Sequence, residues 1–208
     1  MKRTLLGIGM LLLLAAIAQA DVILDVADTF AATGTQYGRI SRNGVASTWG
    51  SVKAFPGVTG APTARGYETF TVDTGIYSYI QVDLDDPNSA LFVTAYLNSF
   101  NPVNSAPNYG LDVNYLGDPG SSQPFGNPSF FQFAVAPHST LVISINEING
   151  GAGAGNGFEV AVEGFCSADY GDTSNGGCTT PVPEPGSIML VGTGLSLALG
   201  KLRKTFSV

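Results

Sequence analysis

The chain contains one histidine, which leaves few routes to hydrolytic chemistry. His138 lies in Ala136-Pro137-His138-Ser139-Thr140, a proline-led turn between two alternating stretches. A nucleophile needs a base beside it and a third group to orient that base, and an exposed turn offers neither. A solvated His138 next to Ser139 is the expectation, and with it no enzyme. Asp83, Asp85 and Asp86 stand before Pro87-Asn88, at what reads as a strand end. Carboxylates and backbone carbonyls gathered there can hold Ca²⁺, although the spacing is not that of an EF-hand loop and a solvated turn is the default. No other cofactor is implied. Residues 149–157, Asn-Gly-Gly-Ala-Gly-Ala-Gly-Asn-Gly, suggest a phosphate cradle. Asn156 occupies the position of the third glycine of G-x-G-x-x-G and no Walker lysine follows, so a flexible hairpin loop is expected. Residues 99–128 form a long connection with five prolines and the rings of Phe100, Tyr109, Tyr115 and Phe125. Such rings either stack on sugars or pin the loop to the body, and long loops in a domain are often functional.

The most specific spacing is at the carboxyl end. Pro183-Glu184-Pro185-Gly186-Ser187 precedes an uncharged apolar run, residues 188–200, and then Lys201, Arg203 and Lys204. Proline fixes its own φ and disfavours helix in the residue before it, so the tripeptide is extended. Thirteen helical residues reach roughly 20 Å, against a hydrocarbon core of roughly 30 Å. Counting residues 186–202, with Lys201 snorkelling, brings the run to the lower edge of a span. The basic end favours a cytoplasmic position, which places everything upstream outside.

Pro-Glu-Pro near the carboxyl terminus, an apolar run and a basic end together resemble the PEP-CTERM sorting signal of exported Gram-negative proteins. That resemblance implies that a membrane-embedded transpeptidase, exosortase, reads the tail. Its cysteine would attack near Pro183, Glu184 and Pro185, release the apolar segment and pass the body to an acceptor. Residues 188–200 would set the depth of the site, and Lys201, Arg203 and Lys204 its orientation. Leu202 interrupts the basic cluster, and residues 205–208 trail beyond it.

The other end agrees with export. Lys2 and Arg3, an apolar stretch over residues 5–17, and Ala18-Gln19-Ala20 before Asp21 read as a signal peptide, presented to the Sec translocon and cut before Asp21. Removing residues 1–20 and 183–208 leaves one domain, residues 21–166, followed by a loop and linker over residues 167–182. Residues 21–182 hold 15 acids against four bases, Arg39, Arg42, Lys53 and Arg65, a net charge near −11. Phosphate binding needs clustered Lys or Arg, so nucleic acid is not an expected partner. Such a surface suits solubility outside the cell, or acidic polysaccharide bridged by divalent cations. Two cysteines in an oxidising compartment favour a Cys166–Cys178 disulfide fastening the end of the body, and metal ligation lacks partners.

The body reads as strands. Residues 67–72, 78–84, 90–97, 130–135, 140–147 and 158–163 alternate apolar with polar positions, and weaker strands are expected at 22–30, 38–42 and 46–52. A short strand is expected near residues 111–116. Eight or nine strands without a capped helix predict an all-β fold, a two-sheet sandwich or jelly roll. The strand order, from Tyr67-Glu68-Thr69-Phe70 to the Ala136-Pro137-His138 hairpin, loosely resembles the bacterial pre-peptidase C-terminal and CUB-like sandwiches. Those modules are accessory and non-catalytic, which implies the same here.

The combined expectation is an exported, non-catalytic sandwich, held briefly at the inner membrane and delivered to the cell surface or an exopolysaccharide matrix. A secreted carbohydrate-binding module using the aromatic loop is the alternative. A glycan hydrolase, needing two carboxylates facing across a cleft, is a more distant one.

Overall fold

The computed structural model describes residues 20–51, 53–105, 107–122 and 129–166. All fall in the first of two units, Met1–Cys178; the second is Thr179–Val208. Ala18 and the rest of the leader before Ala20, Phe125, Cys178, the Pro183–Ser187 motif, the apolar run and the basic end lie outside the described residues. No described helix is long and apolar enough to cross a membrane.

Nine strands make up the described residues: β1 (Asp21–Thr29), β2 (Gly34–Ile40), β3 (Val58–Asp73), β4 (Tyr79–Asp85), β5 (Leu91–Leu97), β6 (Tyr115–Gly117), β7 (Ser129–Ala134), β8 (Thr140–Glu147) and β9 (Gly157–Phe165). They form two antiparallel sheets, ordered β1-β9-β4-β7 and β2-β3-β8-β5-β6. The chain changes sheet at every connection except β2–β3 and β5–β6. Alternation explains the arrangement: Ile80, Val82 and Leu84 of β4 and Phe158, Val160 and Val162 of β9 point inward from one sheet. They meet Leu91, Val93 and Ala95 of β5 and Leu141, Ile143 and Ile145 of β8 from the other. Each large side chain so buried stabilises the fold by about 1.5–3 kcal/mol.

Two expectations change. Residues 46–52 do not form a strand; residues 48 and 51 make an isolated bridge, Thr48↔Ser51. The backbone of Ser47 is used singly instead, its N–H donating to Asp118 O and its carbonyl accepting from Gln132 N–H. Meanwhile β3 starts nine residues before the predicted residue 67. Gly60 and Pro62 read as turn residues, but they fall where the β2–β3 register breaks between the pairs Arg39↔Thr59 and Tyr37↔Ala64. Proline is tolerated there because the irregularity asks no ladder hydrogen bond of it.

The two outer faces are treated differently. β5 and β8 are buried on both sides. Phe92, Tyr96 and Val142 face away from the first core and form a second one with Leu111 and with Ile40 and Val58 of the β2–β3 ribbon. The outer face of β1-β9-β4-β7 carries no such cover over most of its area: Asp25, Ala27, Asp85, Phe130, Ala134 and Glu159 are all exposed there. Carboxylates along β1 (Asp21, Asp25 and Asp28) also discourage pairing at that free edge.

Candidate functional site

His138 is exposed, with φ 58° on the turn before β8. Its backbone N–H donates to Gly75 O at 2.5 Å, and the neighbouring Ser139 hydroxyl donates to Ala136 O at 2.6 Å. The His138 backbone and the Ser139 hydroxyl therefore build the turn, and the hydroxyl donates to a backbone carbonyl rather than to the imidazole.

The three aspartates are not gathered into a metal site, and the described residues contain no cluster of three metal-ligating side chains. Asp86 is 1% exposed and accepts from Leu91 N–H at 2.6 Å and Asn88 N–H at 3.1 Å, closing the β4–β5 turn. Asp83 and Asp85 point the other way, onto the outer face of β4. Burial pushes the Asp83 carboxyl above the usual range, helped by Glu163, Asp85 and Glu159, while its hydrogen bond from the Leu84 backbone pulls the other way.

The aromatic loop is held onto the sheet. Phe100 lies 4.6 Å from Tyr96 and 5.0 Å from Tyr67, ring centre to ring centre. Tyr115 lies edge-on to Phe55 at 5.3 Å, and Tyr109 joins the same cluster. Phe100, Tyr109 and Tyr115, all half-buried, thus pin the loop to the sheet. The outer face of β5 and β8 supplies apolar area against which these three rings pack, taking part of each out of water.

The glycine-rich stretch does cradle an anion, and the anion belongs to the chain. Glu147, at the end of β8, accepts from Gly66 N–H at 2.9 Å, Gly151 N–H at 3.0 Å and Gly153 N–H at 3.1 Å. Burial alone would raise this carboxyl; the N–H groups of Gly151, Gly66, Gly153 and Ala154 outweigh it and hold the group below its ordinary value.

One polar knot has no precursor in the sequence pattern. Asp118 is fully buried and takes an ion pair from Lys53, the hydroxyl of Tyr115 and the N–H of Gly120 at 2.6 Å. Its own N–H donates to Ser47 Oγ at 3.1 Å. Gly120 has φ +77°, and a Cβ there would stand 2.4 Å from the Val45 backbone, so glycine is required. Burial pushes the Tyr115 hydroxyl far above its usual value, reinforced by Asp118. The knot ties residues 45–53 to the end of the long loop and is closed to substrate. Next to it, a cleft of about 70 Å³ is lined by Trp49, Tyr115, Phe133 and their neighbours. Small-molecule sites are roughly 300–1,000 Å³, so this space suits water.

The two ends of the described fold share a pole. Asp21 opens β1 opposite Gly164 of β9, and Tyr77 donates its hydroxyl to the Asp21 carboxylate. Burial and that carboxylate push the Tyr77 hydroxyl up to about 12. Trp49 donates its indole N–H to Ile80 O at 3.1 Å and packs edge-on against Phe165 at 5.1 Å and Tyr79 at 5.9 Å. Cys166 follows directly and is disulfide-bonded; its expected partner, Cys178, lies outside the described residues. The chain has no match among protein-family models, curated proteins or solved structures.

Proposed function

We propose that this is an exported, non-catalytic β-sandwich protein that exosortase sorts and processes at its carboxyl end for display on the cell surface or in an exopolysaccharide matrix. The observation that carries this reading is the order of three signals: Pro183-Glu184-Pro185, the apolar run 188–200, and Lys201, Arg203 and Lys204. The leader ending at Ala18-Gln19-Ala20 supports it, because a chain read at the inner membrane must first be exported. The strand order supports it as well. β1-β9-β4-β7 against β3-β8-β5-β6 is the interleaving of a jelly roll with β2 added at one edge, an architecture that serves as a stable module. The protein is then the substrate of the transpeptidase, and its own residues supply an extended site, a depth and an orientation.

The test is replacement of Pro183, Glu184 and Pro185 by alanine in the native host. Full-length protein should accumulate in the membrane fraction, and mass spectrometry of the wild-type mature form should find its carboxyl terminus near the motif. Unchanged processing of the variant, or an intact Val208 terminus on extracellular wild-type protein, would count against the reading. The rival glycan-binding reading draws no support from Phe100, Tyr109 and Tyr115, whose rings are engaged against the sheet.

A further inference from the structure

Two unmet electrostatic requirements occur on opposite sheets. The outer face of the four-stranded sheet presents Asp25 from β1, Glu159 and Glu163 from β9, and Asp83 and Asp85 from β4. No lysine or arginine occurs on these strands. Gln81 meets part of the requirement, donating to Glu163 at 3.1 Å, but one carboxylate oxygen of Asp83 is buried without a hydrogen-bond partner. At the rim, Phe130 is 50% exposed and Val22 59% exposed. This is the face that the described loops leave largely open.

The second requirement is on the β2–β3 ribbon. Arg39, Arg42 and Arg65 are three of the four bases in residues 21–182, and all belong to this ribbon or its immediate end. None of the described acids forms an ion pair with them; the one ion pair among the described residues is Lys53–Asp118. Arg39 donates to the carbonyl of Ile40, Arg42 to the hydroxyl of Ser122, and Arg65 to the carbonyls of Ile148 and Thr63. Burial lowers the Arg39 guanidinium from its ordinary value, and Arg42 and Arg65 lower it further. Arg65 feels the Glu147 carboxylate, which leaves Arg39 and Arg42, with only neutral acceptors, as a cationic patch lacking its counter-ion.

We infer that the open face of the four-stranded sheet docks the arginine-bearing β2–β3 ribbon of a second copy of this chain, so that molecules associate head to tail. Within one copy the two patches cannot meet, because they belong to different sheets. A divalent cation would satisfy only the carboxylates, and an acidic polymer only the arginines. A second copy satisfies both. Arg39 and Arg42 supply the guanidinium forks, which pair with carboxylates through two parallel hydrogen bonds. Arg65, 7% exposed, adds charge from behind. Because the two surfaces differ, the contact is heterologous and leaves a free patch at each end, so it repeats into an open row rather than closing as a twofold dimer. This inference stands independently of the export reading, and either can fail alone.

The experiment uses the full-length chain in a neutral detergent, with two charge-reversed variants: Arg39→Glu with Arg42→Glu, and Asp25→Lys with Glu159→Lys. None of these four side chains belongs to the Asp118 or Glu147 knots. Circular dichroism and thermal melts establish that each variant folds; Arg39→Gln with Arg42→Gln, and Asp25→Asn with Glu159→Gln, replace any that does not. Light scattering follows mass against concentration at low salt. Wild type should form a concentration-dependent series that dissolves in about 0.5 M salt, where screening is nearly complete beyond roughly 4 Å. Each variant alone should associate at least tenfold more weakly, and an equimolar mixture should regain association, since the intact acidic face of one meets the intact arginines of the other and the two reversed patches are again opposite in charge. A wild type that stays monomeric overturns the inference. So does association that survives in the single variants, that chelation of divalent cations abolishes, or that the mixture fails to restore. Binding of polyuronate to the arginines by a protein that remains monomeric overturns it too, in favour of an anionic glycan.

Discussion

Asp118 and Lys53 show what sequence spacing cannot convey. They stand 65 positions apart, and neither belongs to a motif; the one hint is that Lys53 is the single lysine of residues 21–182. Breaking a buried pair leaves an uncompensated charge, so Asp118→Ala should cost about 3–5 kcal/mol in urea unfolding, whereas replacing both partners by apolar residues should cost much less. Equal losses would mean that the pair itself, rather than the stranded charge, matters. Two other carboxyls oppose each other in pH. Glu147 has a lowered folded value, so its stabilisation is present above the unfolded range, about 4.3, and disappears as pH falls through the folded value. Asp83 has a raised folded value and costs stability increasingly as pH climbs past its unfolded range, about 3.9. Asp83→Asn should therefore raise the unfolding midpoint at pH 7 and have no effect near pH 3. Glu147→Gln should lower stability at pH 7 by about 1–3 kcal/mol, with the loss shrinking in acid. Thermal melts across that pH range check both signs.

At the scale of elements, alternation made β4, β7, β8 and β9 legible, because a strand with one buried face repeats every two residues. β5 and β8 also carried a further signal. Leu91-Phe92-Val93 and Leu141-Val142-Ile143 are apolar on consecutive positions, the mark of a strand covered on both sides. The cover itself was not legible: it comes from Ile40, Val58 and Leu111, which are remote in sequence from the strands they shield. The same holds for Gly60 and Pro62, whose local chemistry says turn while the β2 partner holds their strand extended on either side. β9 offers an element-level test. A Cβ on Gly164 would stand 2.4 Å from the Tyr77 ring, and Tyr77 in turn holds Asp21 at the start of β1. Gly164→Ala should cost about 1–3 kcal/mol by overpacking. Amide exchange should quicken at the start of β1 while β8 keeps its protection; uniform quickening would point to loss of the whole core instead.

For the whole molecule, the placement of β9 sets how the body would bear a tether. β9 lies inside its sheet, paired with β1 on one side and β4 on the other, and ends at disulfide-bonded Cys166. Pulling on its carboxyl end works against two antiparallel ladders at once, whereas β1 is an edge strand with a single ladder and mostly exposed or half-exposed side chains. Local opening follows the density of buried contacts, so the amino-terminal strand should be the first to leave and the carboxyl-terminal strand among the last. None of this was readable from the order of strands along the chain, since β1 and β9 are its two ends and come together only through the sheet. Hydrogen exchange under native conditions should find the β1 amides exchanging faster than those of Val160 and Val162. Limited proteolysis of the full chain should cut residues 21–30 before any site in β9. Cys166→Ser should shorten that gap, because losing the bridge removes roughly 3 kcal/mol for a loop of this length and loosens the pole where Phe165 packs on Trp49. Early cleavage within β9 of the wild-type protein would mean that the carboxyl end of the sandwich is the weak one, and that the interior position of β9 does not protect it.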